Sequence, residues 1–207
     1  MKRLSFLIFA FLFFTFAVNA QNTAPTTLTK EERKQIVDYL KSTRDKVLEN
    51  NKGLSEAQLN FKPGPDRWSV REVTQHLALA ENFLFDMIMN EVMKTPETPE
   101  KRADAAGKEA KIMQVIPDRT SKFKAPEPIQ PNDTKVPGSA ADTFKERRNN
   151  TIKYVEETKE NLRVHFMDTP GMGPADAWQW LFFIAAHSER HNKQIEEVKA
   201  DPNFPKK

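Results

Sequence analysis

Cysteine is absent from this chain of 207 residues. That removes disulfides, thiolate metal ligands, cysteine nucleophiles and a lipid-bearing cysteine at the N-terminus. Glycine is scarce, at 6 residues, and no stretch shows the apolar–polar alternation of a half-buried strand, so a sheet protein is not expected. A dominant charge sign is missing as well. The 32 Lys and Arg stand against 29 Asp and Glu, interspersed along the chain, and no clustered basic face offers itself to a nucleic acid. Histidine occurs only 4 times, so the position of each is informative.

What is present begins with a leader pattern. Met1-Lys2-Arg3 is followed by an almost wholly apolar run, Leu4 to Val18, and by small residues at Val18-Asn19-Ala20. A basic start, an apolar middle and a small-residue end describe a secretory signal, expected to be cut after Ala20. The run is shorter than the about 20 residues needed to span a bilayer, which argues against a retained anchor. Loss of Lys2 and Arg3 would lower the net charge from +3 to +1. The expected product is exported, to the periplasm or the medium. It has no membrane partner after cleavage and folds as one domain on the strength of its core alone.

Helical periodicity dominates the remainder. Residues 21–28 are Thr/Pro/Asn-rich and read as a loose lead-in. Thr29-Lys30-Glu31-Glu32 is a capping box that opens a helix running to about Asn50, with Ile36, Tyr39, Leu40, Thr43, Val47 and Leu48 on one face. A short helix is expected over Ser55–Phe61, then a turn at Lys62-Pro63-Gly64-Pro65-Asp66. Ser69-Val70-Arg71-Glu72 is a second full capping box and opens a helix to about Lys94. Val73, His76, Leu77, Ala80, Phe83, Leu84, Met87, Ile88 and Glu91 recur along it at 3/4 spacing. Residues 95–141 form a long connection with 7 of the 14 prolines and room for a short helix over 103–116. Connections of that length inside one domain are often functional. A third long helix is expected from about Ala141 to His165, then a turn over residues 168–173. Pro174 suits the first position of a last helix to about Ala200. Residues 201–207 read as a tail. Four long helices with a crossover between the second and third describe an all-α four-helix bundle spanning 29–200.

His187 and His191 lie four apart on the last helix, so both rings leave one face. His76 lies on the inward face of the second. Neutral imidazoles placed this way can grip one divalent metal. The competing reading is a hydrogen-bonded polar core. Three buried rings would then need several separate partners, each costing about 1–3 kcal/mol if unmatched. His165, at an expected helix end, reads as a cap or surface residue. Glu189 completes a His-x-Glu-x-His string but sits about 200° round the helix from both imidazoles, which defeats a zinc-protease reading. Glu72, one turn before His76, is a candidate to orient its ring, in competition with its capping duty. Arg190 reads as solvated, near the rim of the site. The Trp178/Trp180/Phe182/Phe183 run reads as core.

The phrase Arg67-Trp68-Ser69-Val70-Arg71-Glu72-Val73-Thr74-Gln75-His76-Leu77, together with His187-x3-His191 and the following Asn192-Lys193-Gln194-Ile195, resembles the DinB superfamily over roughly residues 30–200. The resemblance implies a bundle of DinB/YfiT type holding one divalent ion, zinc or nickel, on His76, His187 and His191. It also implies dimers in many members, and activities that include metal-dependent hydrolysis and transfer of small thiols. An export signal separates this chain from the thiol-using members, which work where the cytoplasmic thiol pool is. Two functions follow. One is a hydrolase or transferase in which a metal-activated water or nucleophile attacks a small electrophilic molecule. The other is a non-catalytic exported bundle that binds a ligand or partner.

Overall fold

The structure, a computed structural model, describes residues 27–206. The expected leader and its cleavage point, with most of the lead-in, lie outside the described residues. The four long helices are α1 (Lys30–Asn51), α3 (Val70–Asn90), α5 (Ala140–Glu157) and α6 (Ala177–Lys199). Two shorter helices are α2 (Glu56–Asn60) and α4 (Lys108–Val115). The capping boxes read at Thr29 and Ser69 are formed, and Ser55 makes another with Gln58, each with its reciprocal pair of side-chain bonds. Asp176 supplies a fourth with Gln179 and starts α6.

Two boundaries differ from the sequence reading. The third long helix stops at Glu157 rather than His165, and the segment read as a turn is a small antiparallel hairpin, β1 (Phe166–Thr169) with β2 (Gly173–Asp176). Gly171 and Gly173, at φ of 73° and 71°, make its tight return. Pro174 therefore sits in β2, not at a helix start, and Phe166 packs from a strand. Phe83, read as inward, is 39% exposed.

Helix α1 packs on α5 and α6, and α3 packs on the same two, so α1 faces α3 across the bundle. Pairings along the chains give the directions. Trp178 meets Glu32 while Asn192 meets Asn50, so α1 and α6 run parallel. Arg147 reaches Ala78 and Phe85 stacks on Tyr154, so α3 and α5 run parallel too. Parallel neighbours cannot be joined by a tight turn. Residues 91–139 must carry the chain back along the full bundle, and this is the physical reason for the long crossover. On the way α4 lies along α6, and a 3₁₀ turn at Glu127–Ile129 lies on α3.

Most of the core is the expected apolar set, centred on Ile36, Leu40, Ile88, Leu181, Phe182 and Ile184. A smaller cluster, Val70, Val73, Ile195 and Val198, closes the end near the histidines. The C-terminal tail belongs to that end. Phe204 packs edge-on to Phe61, and Gln58 donates to the Pro205 carbonyl. Among the described residues no helix is long and apolar enough to cross a membrane.

One feature of the core has no apolar logic. Arg148 of α5 is fully buried. Its five N–H groups are all used: two on the Glu81 carboxylate at 2.8 and 2.7 Å, and one each on the Leu40 carbonyl, the Thr43 hydroxyl and the Ser188 hydroxyl. Thr151 donates to the same carboxylate. The cluster therefore joins α1, α3, α5 and α6 at one level.

Candidate metal centre

Ser69 caps α3 and fixes its first turn, and His76 projects inward from the second, in the seam between α3 and α6. His187 and His191, one turn apart on α6, project into the same seam. The three Nε2 atoms form a nearly equilateral triangle: 3.3 Å from His76 to His187, 3.1 Å from His76 to His191 and 3.2 Å from His187 to His191. Among the described residues this is the one group of three or more His, Cys, Asp or Glu side chains set to hold a metal ion. Bonds of about 2.0–2.1 Å from one ion would hold two nitrogens about 2.9 Å apart at a right angle and about 3.4 Å apart at a tetrahedral angle. The observed triangle falls between those limits.

The outer ring nitrogens decide which species face the centre. His76 donates its Nδ1–H to the Ile129 carbonyl at 2.7 Å, and His191 donates its Nδ1–H to the Gln194 side-chain oxygen at 2.8 Å. Both Nε2 atoms are then bare lone pairs. His187 alone could carry a proton inward, and one N–H cannot satisfy two lone pairs. A purely hydrogen-bonded core would leave a lone pair facing a lone pair, so the donor set fits a cation.

Electrostatics act in the same sense. Burial holds all three imidazoles below their ordinary range, and His187 and His191 well below it. Mutual repulsion within the cluster adds to the effect at His187 and His191, and the nearby Arg190 and Arg148 charges add to it at His187. The rings are neutral near pH 7, the form that ligates. His76 and His191 are buried, and His187 is the partly exposed member through which the site meets solvent.

The surroundings correct several sequence expectations. Glu72 does not touch His76; it caps α3 and pairs with Lys62 at 2.8 Å, and the ring is oriented by a crossover carbonyl instead. Arg190 is not solvated. It is 9% exposed and donates to the carbonyls of Ile116, Asp118 and Ser121, which bolts the crossover to α6. Glu189 points away as expected, accepting from the Tyr39 hydroxyl. His165 stands apart from the cluster and donates its Nδ1–H to the Thr95 carbonyl. Trp178 and Trp180 are buried in the core, and each indole donates to a carbonyl. Trp68 had no assigned role in the sequence reading, yet its indole lies 5.0 Å from the His76 ring and stacks at 6.4 Å on His191. Its signal was its place at the head of the phrase that ends in His76.

Comparison with known proteins gives a consistent picture. The sequence profile of the DinB superfamily matches residues 39–195. The uncharacterized protein YuaE of Bacillus subtilis (strain 168) is 34% identical over 155 residues, covering 72% of this chain and 87% of its own. Among solved structures, YfiT from Bacillus subtilis, described as a probable metal-dependent hydrolase with an unusual four-helix bundle topology, superposes with a TM-score of 0.51 at 15% identity, covering 86% of this chain and 92% of that one. Profile and relative each span most of the described chain, and the chain belongs to the DinB superfamily.

Proposed function

We propose that this protein is an exported metalloenzyme in which His76, His187 and His191 hold one zinc or nickel ion, and that it acts as a hydrolase or transferase on a small electrophilic molecule. The observation that carries the reading is the Nε2 triangle with two of its rings locked in the ligating tautomer. YfiT, which shares the fold, is described as metal-dependent, and that supports the same reading. Three protein ligands leave coordination room, and a divalent ion bound there supplies a Lewis acid able to polarise a substrate oxygen or to bring the pKa of a water from 15.7 towards about 7.

The chain's own residues do the rest. The Ile129 carbonyl and Gln194 fix the ring planes of His76 and His191. Trp68 walls the side of His76 and His191 and keeps water from their faces. Arg190 holds residues 116–121 of the crossover against α6, three positions along the helix from His187. Glu189 is engaged by Tyr39 on the far side of α6 and takes no part as a base.

Export rests on the leader pattern of residues 1–20. N-terminal sequencing of protein recovered outside the cytoplasm is expected to begin at Gln21. The central experiment is elemental analysis of the mature protein purified without a histidine tag. One equivalent of zinc or nickel is expected, and none in His187→Ala. Turnover is then sought on esters, lactones and thiol acceptors. No metal in the native protein removes the proposal. Stoichiometric metal without turnover on any of these classes makes the protein a binding bundle instead.

A further inference from the structure

Arg119 belongs to the crossover, far in sequence from every histidine of the site. It makes a bidentate pair with Glu197 at 2.6 and 2.9 Å, and Glu197 is also reached by Arg67 at 3.4 Å. Its remaining contact is with Gln194, whose side-chain oxygen it reaches from Nη1 at 3.3 Å. The same oxygen lies 2.8 Å from Nδ1 of His191.

A side-chain amide has two unlike ends. Turned one way Gln194 offers oxygen to its neighbours, and turned the other it offers NH2. A guanidinium can only donate, so Arg119 accepts only the oxygen end. With oxygen forced to that position, the His191 nitrogen facing it must be the protonated one. The proton is then on Nδ1, and Nε2 is left bare toward the centre. A flipped amide would reverse this. The Gln194 NH2 would demand a lone pair at Nδ1, the ring proton would move to Nε2, and His191 would present an N–H where a ligand is needed.

We infer that Arg119 is a positioning residue for the metal site: acting through Gln194, it selects the His191 tautomer that can ligate. The inference rests on the metal-site reading for its purpose but not for its test. The crossover thus sets the proton position on two of the three rings, His76 directly through Ile129 and His191 through this relay. Partners of this kind behind a metal-bound histidine are worth 10–100-fold in affinity.

The test begins with metal-free, 15N-labelled protein. Ring-nitrogen NMR is expected to show His191 wholly in the Nδ1–H form in the natural sequence and as a mixture of tautomers in Arg119→Ala. Gln194→Glu presents only acceptor oxygens, so adding it to Arg119→Ala is expected to restore the Nδ1–H form without the arginine. Titration with Co(II) as the probe ion should follow the same order, with a loss of roughly 10–100-fold in Arg119→Ala and recovery in the double variant. Glu197→Ala controls for the lost ion pair and should leave the tautomer as in the natural sequence. An unchanged tautomer in Arg119→Ala overturns the inference, and so does a double variant that fails to recover it. Failure of the natural protein to bind Co(II), with the tautomer result as expected, would sink the metal reading and leave the relay standing.

Discussion

Three imidazoles kept neutral by burial have a cost that appears in acid. In the unfolded chain each histidine takes up a proton near pH 6.5, while in the folded, metal-free protein burial lowers that pKa for His76 and lowers it further for His187 and His191. The unfolded state therefore binds more protons as pH falls through 6.5, and folding stability drops from there downward until the folded rings also titrate. Urea midpoints of metal-free protein should fall between pH 7 and 5, and His76→Gln should flatten that slope. His187 and His191 were legible because four residues is one helical turn. His76 was legible because an apolar face of α3 swallowed it. Arg148 and Glu81 were not, because from sequence a buried arginine looks like any of the other charges along α5, and a buried glutamate like any of those along α3. Their pair makes an equally sharp prediction. Glu81→Ala strands a guanidinium that is fully enclosed, and chemical denaturation should register a loss of about 3–5 kcal/mol. Arg148→Met combined with Glu81→Leu should be markedly less damaging, because it removes both charges and keeps the volume.

At the scale of elements, the crossover contributes most to the site and was the hardest to read. Its wall over α6 could be anticipated from its length and its buried apolar residues, Ile112 and Ile129 among them. Several of its attachments could not, because they run through backbone carbonyls, which carry no sequence signal: Ile129 to His76, and Ile116, Asp118 and Ser121 to Arg190. The hairpin after α5 was missed for a related reason. Strands of four residues are too short for a period to show, and Pro174 imitates a helix start. Arg190→Ala should loosen residues 120–124, the part beyond the Arg119–Glu197 pair, from α6. Limited trypsin digestion should then cut after Lys122 or Lys124 well before the natural protein is cut there. Far-UV circular dichroism should be nearly unchanged, since the four long helices do not depend on the bolt.

For the whole molecule, the binding site and the architecture are one structure. The ligands come from α3 and α6, antiparallel neighbours in the bundle, with the crossover laid over them, and an ion bound to all three rings ties these parts together. Metal that binds the folded chain and not the unfolded one should stabilise it by about 2.7 kcal/mol at a free concentration of one hundred times Kd. Thermal melts should rise with added zinc or nickel and fall back with a chelator. In His187→Ala the melts should not respond.

The parallel pairing of α3 with α5 has a temporal meaning as well. His76 lies 111 and 115 residues before its two partner ligands, and α6 is the last helix among the described residues. Translation lays down one imidazole of the site early and the other two only with α6, so a ribosome stalled anywhere before α6 leaves a polypeptide with one of the three site ligands. Loading of a three-histidine site is thereby reserved for chains in which α6 has been made and has folded against α3.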